Sequence, residues 1–360
     1  MSKWRSSIFL KSGLFLGLVF LVGPSRPSGA AESPYYQGKT LTIVEGRSPG
    51  GTGSLRVQAV VKYFQKYLPG NPAIVYQHMS GGGGTAAANH MASVAKRDGL
   101  VMGNIGSSMF TNAVLGAAGV RYKLDDFIYL GSASSGGPYT LITRAPLGFN
   151  TVEKLKAYPG LRFAQRSVGH TMYILDRMYA YILELKEPRW VLGYGESELD
   201  LAMSKGEADA QSNNVHTILK ESSHWMGGDY IFPFVMKNAQ GRGLETAPQF
   251  PQNLPSLERY ADTELKRAVL RFHNASRPTS APYFVPKGIP EPALKALKEA
   301  FERVWKDPQF IKEYSTTTGE PADPMTGEEI EEVLRQLPKE PRIKEIYTQI
   351  IAAGPLPPAR

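Results

Sequence analysis

A chain of 360 residues has ample material for a core and, at roughly 100 to 200 residues per domain, reads as two lobes. With 42% hydrophobic and 21% charged residues it is not intrinsically disordered, and 36 glycines with 27 prolines in no fixed period exclude a collagen-like chain. The absence of cysteine excludes disulfides, thiolate metal sites, cysteine nucleophiles and a lipid-modified cysteine, and leaves six histidines as candidate ligands or bases.

The first thirty residues read as a secretory signal peptide. Lys3, Arg5 and Lys11 form a basic start, Gly13 to Gly23 is an apolar run too short for a bilayer, and Ser28-Gly29-Ala30 supplies small residues before a cut near Ala30 or Ala31. Lys3, Arg5, Lys11 and Arg26 are four basic residues with no acid among them, so cleavage takes the formal charge from +8 to +4. Spread over the mature chain with no run of five basic residues, that charge leaves no footprint for nucleic acid and mildly favours small anions.

From Tyr35 onward, short apolar runs alternate with amphipathic stretches, which predicts an α/β fold. Leu41 to Val44, Ala73 to Gln77 and Leu100 to Asn104 read as strands. Between them, Val57, Val60, Val61, Phe64, Tyr67 and Leu68 mark one face of a helix, with Arg56, Lys62, Gln65 and Lys66 on the other side. Successive strands of this kind are expected to be parallel with right-handed crossovers. Further strands are expected at Tyr139 to Thr143, Leu161 to Ala164, Trp190 to Tyr194, Ala208 to Gln211 and Tyr230 to Val235, with a helical stripe from Ile174 to Leu185. Three C-terminal helical patterns begin near Ala293, Ile330 and Ile343. The simplest arrangement returns them to the first lobe, giving lobe one as 35–136 plus 239–360 and lobe two as 137–238.

Two glycine loops carry the chemical signal: Pro49-Gly50-Gly51-Thr52-Gly53-Ser54 and Ser80-Gly81-Gly82-Gly83-Gly84-Thr85. Each lies between an expected strand and an expected helix. Glycine lets the backbone approach a ligand, and a helix start presents unpaired N–H groups with a partial positive charge, so both loops are candidate anion cradles. Ser54 and Thr85 read equally well as ordinary N-caps. Two such loops on sequential parallel strands face one crevice, which favours a ligand there. A third cluster, Gly169-His170-Thr171, lies between a strand and a helix of the second lobe, where His170 could offer an N–H or a charge to an anion. Tyr194 could place a phenol in the cleft, whereas Asp209 reads better as a strand-entry residue.

Enzymatic readings fail on particular residues. Thr52 stands where a phosphate-binding loop needs lysine, and the strand after Gly81–Ala86 ends at Asn104 rather than in the acid that holds a ribose, so no nucleotide cofactor is expected. There is no GxSxG or HExxH, and no two histidines fall four apart, so no metal is expected. Ser107, Ser108 and His170 are the only raw material for a hydrolase.

The ordered set YQGKTLTIVEGRSPGGTGS, GNPAIVYQHMSGGGGTAAANHMASVAKRDGLVMG, YKLDDFIYLGS, FAQRSVGHTMYILDRM, LGYGESELDLAMSKGEADA and APYFVPKGIPEPALKALKEAFERVWKDPQF resembles the tripartite tricarboxylate transporter receptors, also called Bug receptors. The resemblance covers most of the mature chain. It implies a type II periplasmic binding protein, a monomeric Venus flytrap whose two α/β lobes close on a small carboxylate for a membrane permease. It further implies binding through loop amides, hydroxyls and bridging waters more than through salt bridges. Carried onto this chain, the contacts are Pro49 to Ser54, Gly81 to Thr85, Asn104 to Ser108, Gly169 to Thr171, Tyr194 and Asp209. The sequence departs from the family pattern at Ser54, where Asp is usual, at Gln58, where Arg is usual, and at Ser80, where Pro is usual. A ligand-sensing protein would share the whole pattern.

Overall fold

The computed structural model describes residues 33–238, 240–337 and 340–359; the expected signal peptide lies outside them. β1 (Thr40–Glu45) is followed by α1 (Gly51–Tyr67), β2 (Ala73–His78), α2 (Thr85–Ser93), β3 (Val101–Asn104), α3 (Ser108–Leu115) and β4 (Phe127–Gly131). β1 pairs in parallel with both β2 and β3, as the alternation of strand and helix predicts. The chain then builds β5 (Tyr139–Arg144), α4 (Val152–Ala157), β6 (Arg162–Gln165), α5 (Thr171–Leu183), β7 (Arg189–Leu192), α6 (Glu196–Lys205), β8 (Ala210–Asn214), α7 (Val215–Glu221) and β9 (Tyr230–Met236). It ends with α8 (Glu264–Ala275), β10 (Tyr283–Pro286), α9 (Glu291–Lys306), α10 (Pro308–Thr318), α11 (Gly327–Arg335) and α12 (Pro341–Ile351).

Ten strands form two five-stranded mixed sheets, in the orders β2-β1-β3-β10-β4 and β7-β6-β8-β5-β9. β10 enters the first sheet antiparallel to both neighbours, which a short run closed by Pro286 does not advertise in sequence. Helix α1 lays Val57, Val60, Val61 and Phe64 against this sheet and α9, with the rings of Phe64 and Phe301 stacked 4.4 Å apart. Burying each such side chain stabilises by roughly 1.5–3 kcal/mol. On the second sheet the stripe Ile174, Leu175, Met178, Ile182 of α5 is wholly buried.

The stretch expected to rejoin the first lobe divides between the two. α9 and α10 pack on the first sheet, and α11 lies against β4. Leu244, Ala247, Phe250, Leu257, helix α8 and helix α12 instead join clusters built on the second sheet. α12 is drawn there by the buried Arg177 of α5, which donates to the carbonyls of Ile350, of Gly354 at 2.9 Å and of Gln349 at 3.4 Å, so capping the helix C-terminus with a cation. Tyr173 adds a bond to Ala352 O at 3.0 Å. The chain therefore passes between the sheets through 132–138 and 276–282, and again between α11 and α12.

Candidate functional site

A cavity of about 150 Å³ lies between the sheets, where the C-terminal ends of β1, β3 and β8 meet the starts of α1, α3 and α5. That is roughly ten times the space one water needs. Arg47, Arg56 and Arg166 line it, and among the described residues no Asp or Glu does.

On the first sheet's side the arginines are anchored from behind. Glu45, at the end of β1, is buried and lies 3.2 Å from Arg47 Nη1; the same carboxylate oxygen accepts from Ser54 Oγ at 3.2 Å, and Arg47 also donates to Gly53 O at 3.2 Å. Arg56, in the second turn of α1, brings Nε to 2.6 Å from Oε2 of the buried Glu320. Burial disfavours the Arg56 charge, but Glu320 leads the groups that reverse this and raise its pKa. The buried Nη2 of Arg56 has no described partner. Glu320 also accepts from Ser134 Oγ at 2.6 Å, tying Arg56 to the 132–138 passage.

On the second sheet's side, Gln211, Ser212, Asn213 and Asn214 of β8 line the cavity with Arg166, His170 and Thr171. His170 is the N-cap of α5: its Nδ1 accepts from Met172 N at 3.3 Å, while Nε2 lies 3.4 Å from Arg166 Nη1. Burial first, then Arg166 and Arg47, push its pKa down to about 3, so at neutral pH it is uncharged, and with Nδ1 accepting, its one N–H lies on Nε2, on the side of Arg166. Of the N–H or charge that the sequence left open for it, only the N–H remains. Behind Ser212, Asp176 is fully buried and bonded by Ser212 Oγ and Gln165 Nε2; burial pushes it up to about 8, because no cation faces it strongly enough to offset desolvation.

Of the residues singled out from sequence, Thr52, Gly53, Gly83, Asn104, Ser107, Ser108, His170 and Thr171 line this cavity. Pro49, Gly50 and Gly51 are exposed beside it, and the N-cap of α1 is Gly50 at φ 80°, not Ser54, whose hydroxyl serves Glu45. Gly81, Gly82 and Gly84 form a tight turn into α2 in which Gly82 and Gly84 have φ 59° and 94°. Thr85 and Gly169 meet through Asn112, whose Nδ2 lies 3.4 Å from Thr85 Oγ1 and 3.3 Å from Gly169 O. A Cβ on Gly83 would sit 2.7 Å from the backbone of Gly169 and His170, so this glycine serves the approach of one wall to the other. Its carbonyl accepts from Ser108 Oγ at 2.9 Å. Tyr194 is half-buried away from the cavity with its hydroxyl 3.4 Å from Glu207. Asp209 lies at the other end of β8, held below the usual carboxylate range because Arg162, bonded to it at 2.7 and 2.8 Å, outweighs burial.

Sequence reasoning passed over the arginines and Gln211, and ranked Asn213 and Asn214 only as weaker candidates. Arg56 sits on the polar side of α1 among Lys62 and Lys66, and only contact with Glu320, far along the chain, distinguishes it. Three buried lining atoms have no described hydrogen-bond partner besides Arg56 Nη2: Thr52 Oγ1, Asn104 Oδ1 and Gln211 Nε2. Three of the four are donors, the set an anion needs.

The architecture is shared with solved proteins. The chain superposes on the periplasmic binding protein BugD with a TM-score of 0.67 at 17% identity, over 88% of this chain and 98% of that one. The fold is that of the periplasmic binding proteins. MatC from Rhodopseudomonas palustris, solved with bound malate, gives a TM-score of 0.64 at 17% identity over 87% of this chain and 99% of the other. A second R. palustris protein, solved with adipate, gives 0.63 at 15% identity over 87% and 97%. No family model matches the sequence, and no curated protein matches it. At these identities the periplasmic-binding-protein likeness speaks for fold, and the chemistry rests on the cavity itself.

Proposed function

We propose that this protein is a periplasmic solute-binding receptor of the tripartite tricarboxylate transporter type, which captures a small organic anion, a carboxylate, between its two lobes and presents the closed form to a membrane permease. The observation that carries the reading is a cavity between two sheets lined by three arginines and no described carboxylate. The malate and adipate held by two proteins of the same fold agree with it in ligand class.

The anion docks on the wall formed by the starts of α1 and α3, where Arg56 Nη2 and Thr52 Oγ1 are buried donors without described partners. The second wall then closes through Gly169 onto Gly83, adding the β8 amides and Arg166. Charge-assisted bonds contribute about 1.5–3 kcal/mol each after desolvation, so three or four suffice for micromolar affinity. The serines are placed for binding rather than attack: Ser108 donates to Gly83 O, and the His170 ring nitrogens face Met172 N and Arg166.

A thermal-shift panel of mono-, di- and tricarboxylates on the mature protein tests this. A true ligand at 100 times its Kd stabilises by about 2.7 kcal/mol. Silence across the panel, with a response to neutral or cationic solutes, overturns the reading.

A further inference from the structure

Behind the cleft, where the passages 132–138 and 276–282 run together, a second arginine is buried for which the capture of a ligand gives no reason. Arg277 is 5% exposed, and its Nε and Nη2 donate to no described group. No described carboxylate forms an ion pair with it. The groups around it are the phenols of Tyr139, Tyr347 and Tyr179, with Glu258 a weaker influence than any of them. Its guanidinium carbon stands 5.5 Å from the Tyr139 ring centroid. His273, one turn earlier on α8, is fully buried, is kept neutral by burial and by Arg277, and turns Nδ1 to Tyr347 Oη at 2.5 Å.

A permanently charged side chain out of water with no counter-charge in contact costs several kcal/mol, of which Glu258, the weakest influence on it, offsets little, and arginine cannot escape by losing its proton. Against Arg277 there is a pocket of about 10 Å³, lined also by Ser107, Gly136, Gly137, Asn238 and Thr279. That space fits one water-sized centre and excludes any carboxylate. The pocket shares Ser107, Tyr139 and Ser280 with the lining of the main cavity.

We propose that Arg277 binds a single monoatomic anion, a halide of the chloride kind, in this pocket, where the ion joins the two passages that connect the sheets. The 132–138 passage already meets the other at Thr279 Oγ1 and Ser280 Oγ, which donate to Ser134 O at 2.8 and 3.0 Å. A halide beside Arg277 adds a charge to that junction and so biases how the lobes sit before any organic ligand arrives.

The test uses the mature protein with no organic ligand. Its Tm is followed in sodium chloride and in sodium gluconate at one fixed ionic strength, and crystals are soaked in bromide. The expected result is a Tm that climbs about 2 °C per tenfold in chloride above the Kd, with no response to gluconate. A bromide anomalous peak beside Arg277 is expected with it. Arg277→Met abolishes the chloride response, while Arg56→Gln, which alters the main cavity, retains it. Equal Tm in both salts, a chloride response that survives Arg277→Met, or a bromide peak confined to the main cavity overturns the proposal. If Arg277→Met does not fold, the bromide peak in the wild-type crystal decides alone. None of these outcomes bears on carboxylate capture.

Discussion

The two walls of the cleft reach the same polarity by different means. On the first, Arg47 and Arg56 stand in front of the buried acids Glu45 and Glu320, so their charges are fixed and their side chains are held before a ligand comes. On the second, β8 offers amides and a hydroxyl, His170 is neutral, and the acid behind Ser212 is neutral too. The difference teaches a division of labour. The first wall supplies two preorganised charges that attract an anion, and the second, Arg166 apart, supplies short, uncharged donors whose positions can discriminate among anions without large desolvation costs.

The comparison breaks most sharply where the walls touch. Gly83 has φ 61°, and a Cβ there meets Gly169 and His170 backbone atoms at 2.7 Å, which no rotamer change relieves. Gly50 has φ 80° and would meet nothing within 4 Å. Alanine costs about 1 kcal/mol of backbone strain at Gly83, which is left-handed helical with ψ 31°, and about 1–3 kcal/mol at Gly50, whose ψ of 179° only glycine adopts readily at that φ, so Gly50→Ala carries at least the same strain without the contact. We expect Gly83→Ala to weaken anion binding at least 100-fold by calorimetry, and Gly50→Ala to leave it within about threefold. Equal effects would show that closure does not bring these loops together.

Next in size is Arg56→Gln. It removes a charged donor from the first wall and leaves Glu320 buried beside Ser134 with its cation gone. The affinity loss is about 10- to 100-fold. Tm falls as well, since an uncompensated buried carboxylate costs on the order of 3 kcal/mol. Adding Glu320→Gln restores Tm without restoring affinity; recovery of both would assign Arg56 a structural role alone.

Most of the sheet framework was legible. Eight of the ten described strands are expected from sequence, most of them as β-branched or aromatic runs between glycine and proline breaks, and the period of α1 and α9 fixes their buried faces. Phe127–Gly131 escaped because no α-helix separates it from β5, and Tyr283–Pro286 escaped because, though flanked by α8 and α9, it is only four residues long and closed by Pro286. The fate of α12 escaped because Arg177, a cation inside an apolar stripe, reads as a solvated residue until its three carbonyl acceptors are assembled. The glycine loops were legible as sites of close approach, but the partner of Gly83 is the opposite backbone. Arg56 and Glu320 carry no local signal because their pairing spans most of the chain.

The finest distinction concerns the acid behind the second wall. Asp176 has a folded pKa of about 8, above the unfolded value near 4, so the folded form keeps a proton that the unfolded chain releases. Its contribution is therefore intact at acid pH, declines as pH rises from about 4, and is fully lost above about 8. Asp176→Asn keeps a neutral side chain of the same shape, able to bond Ser212 and Gln165, whose Oε1 has no described partner. The variant should match wild type in Tm near pH 4 and exceed it by a gap that widens to pH 8, with anion affinity changed less than about twofold at pH 6. A wild-type carboxylate ionised at neutral pH, seen as a gap already constant by pH 6, would make the second wall negative from behind and remove the contrast on which the division between attraction and discrimination rests.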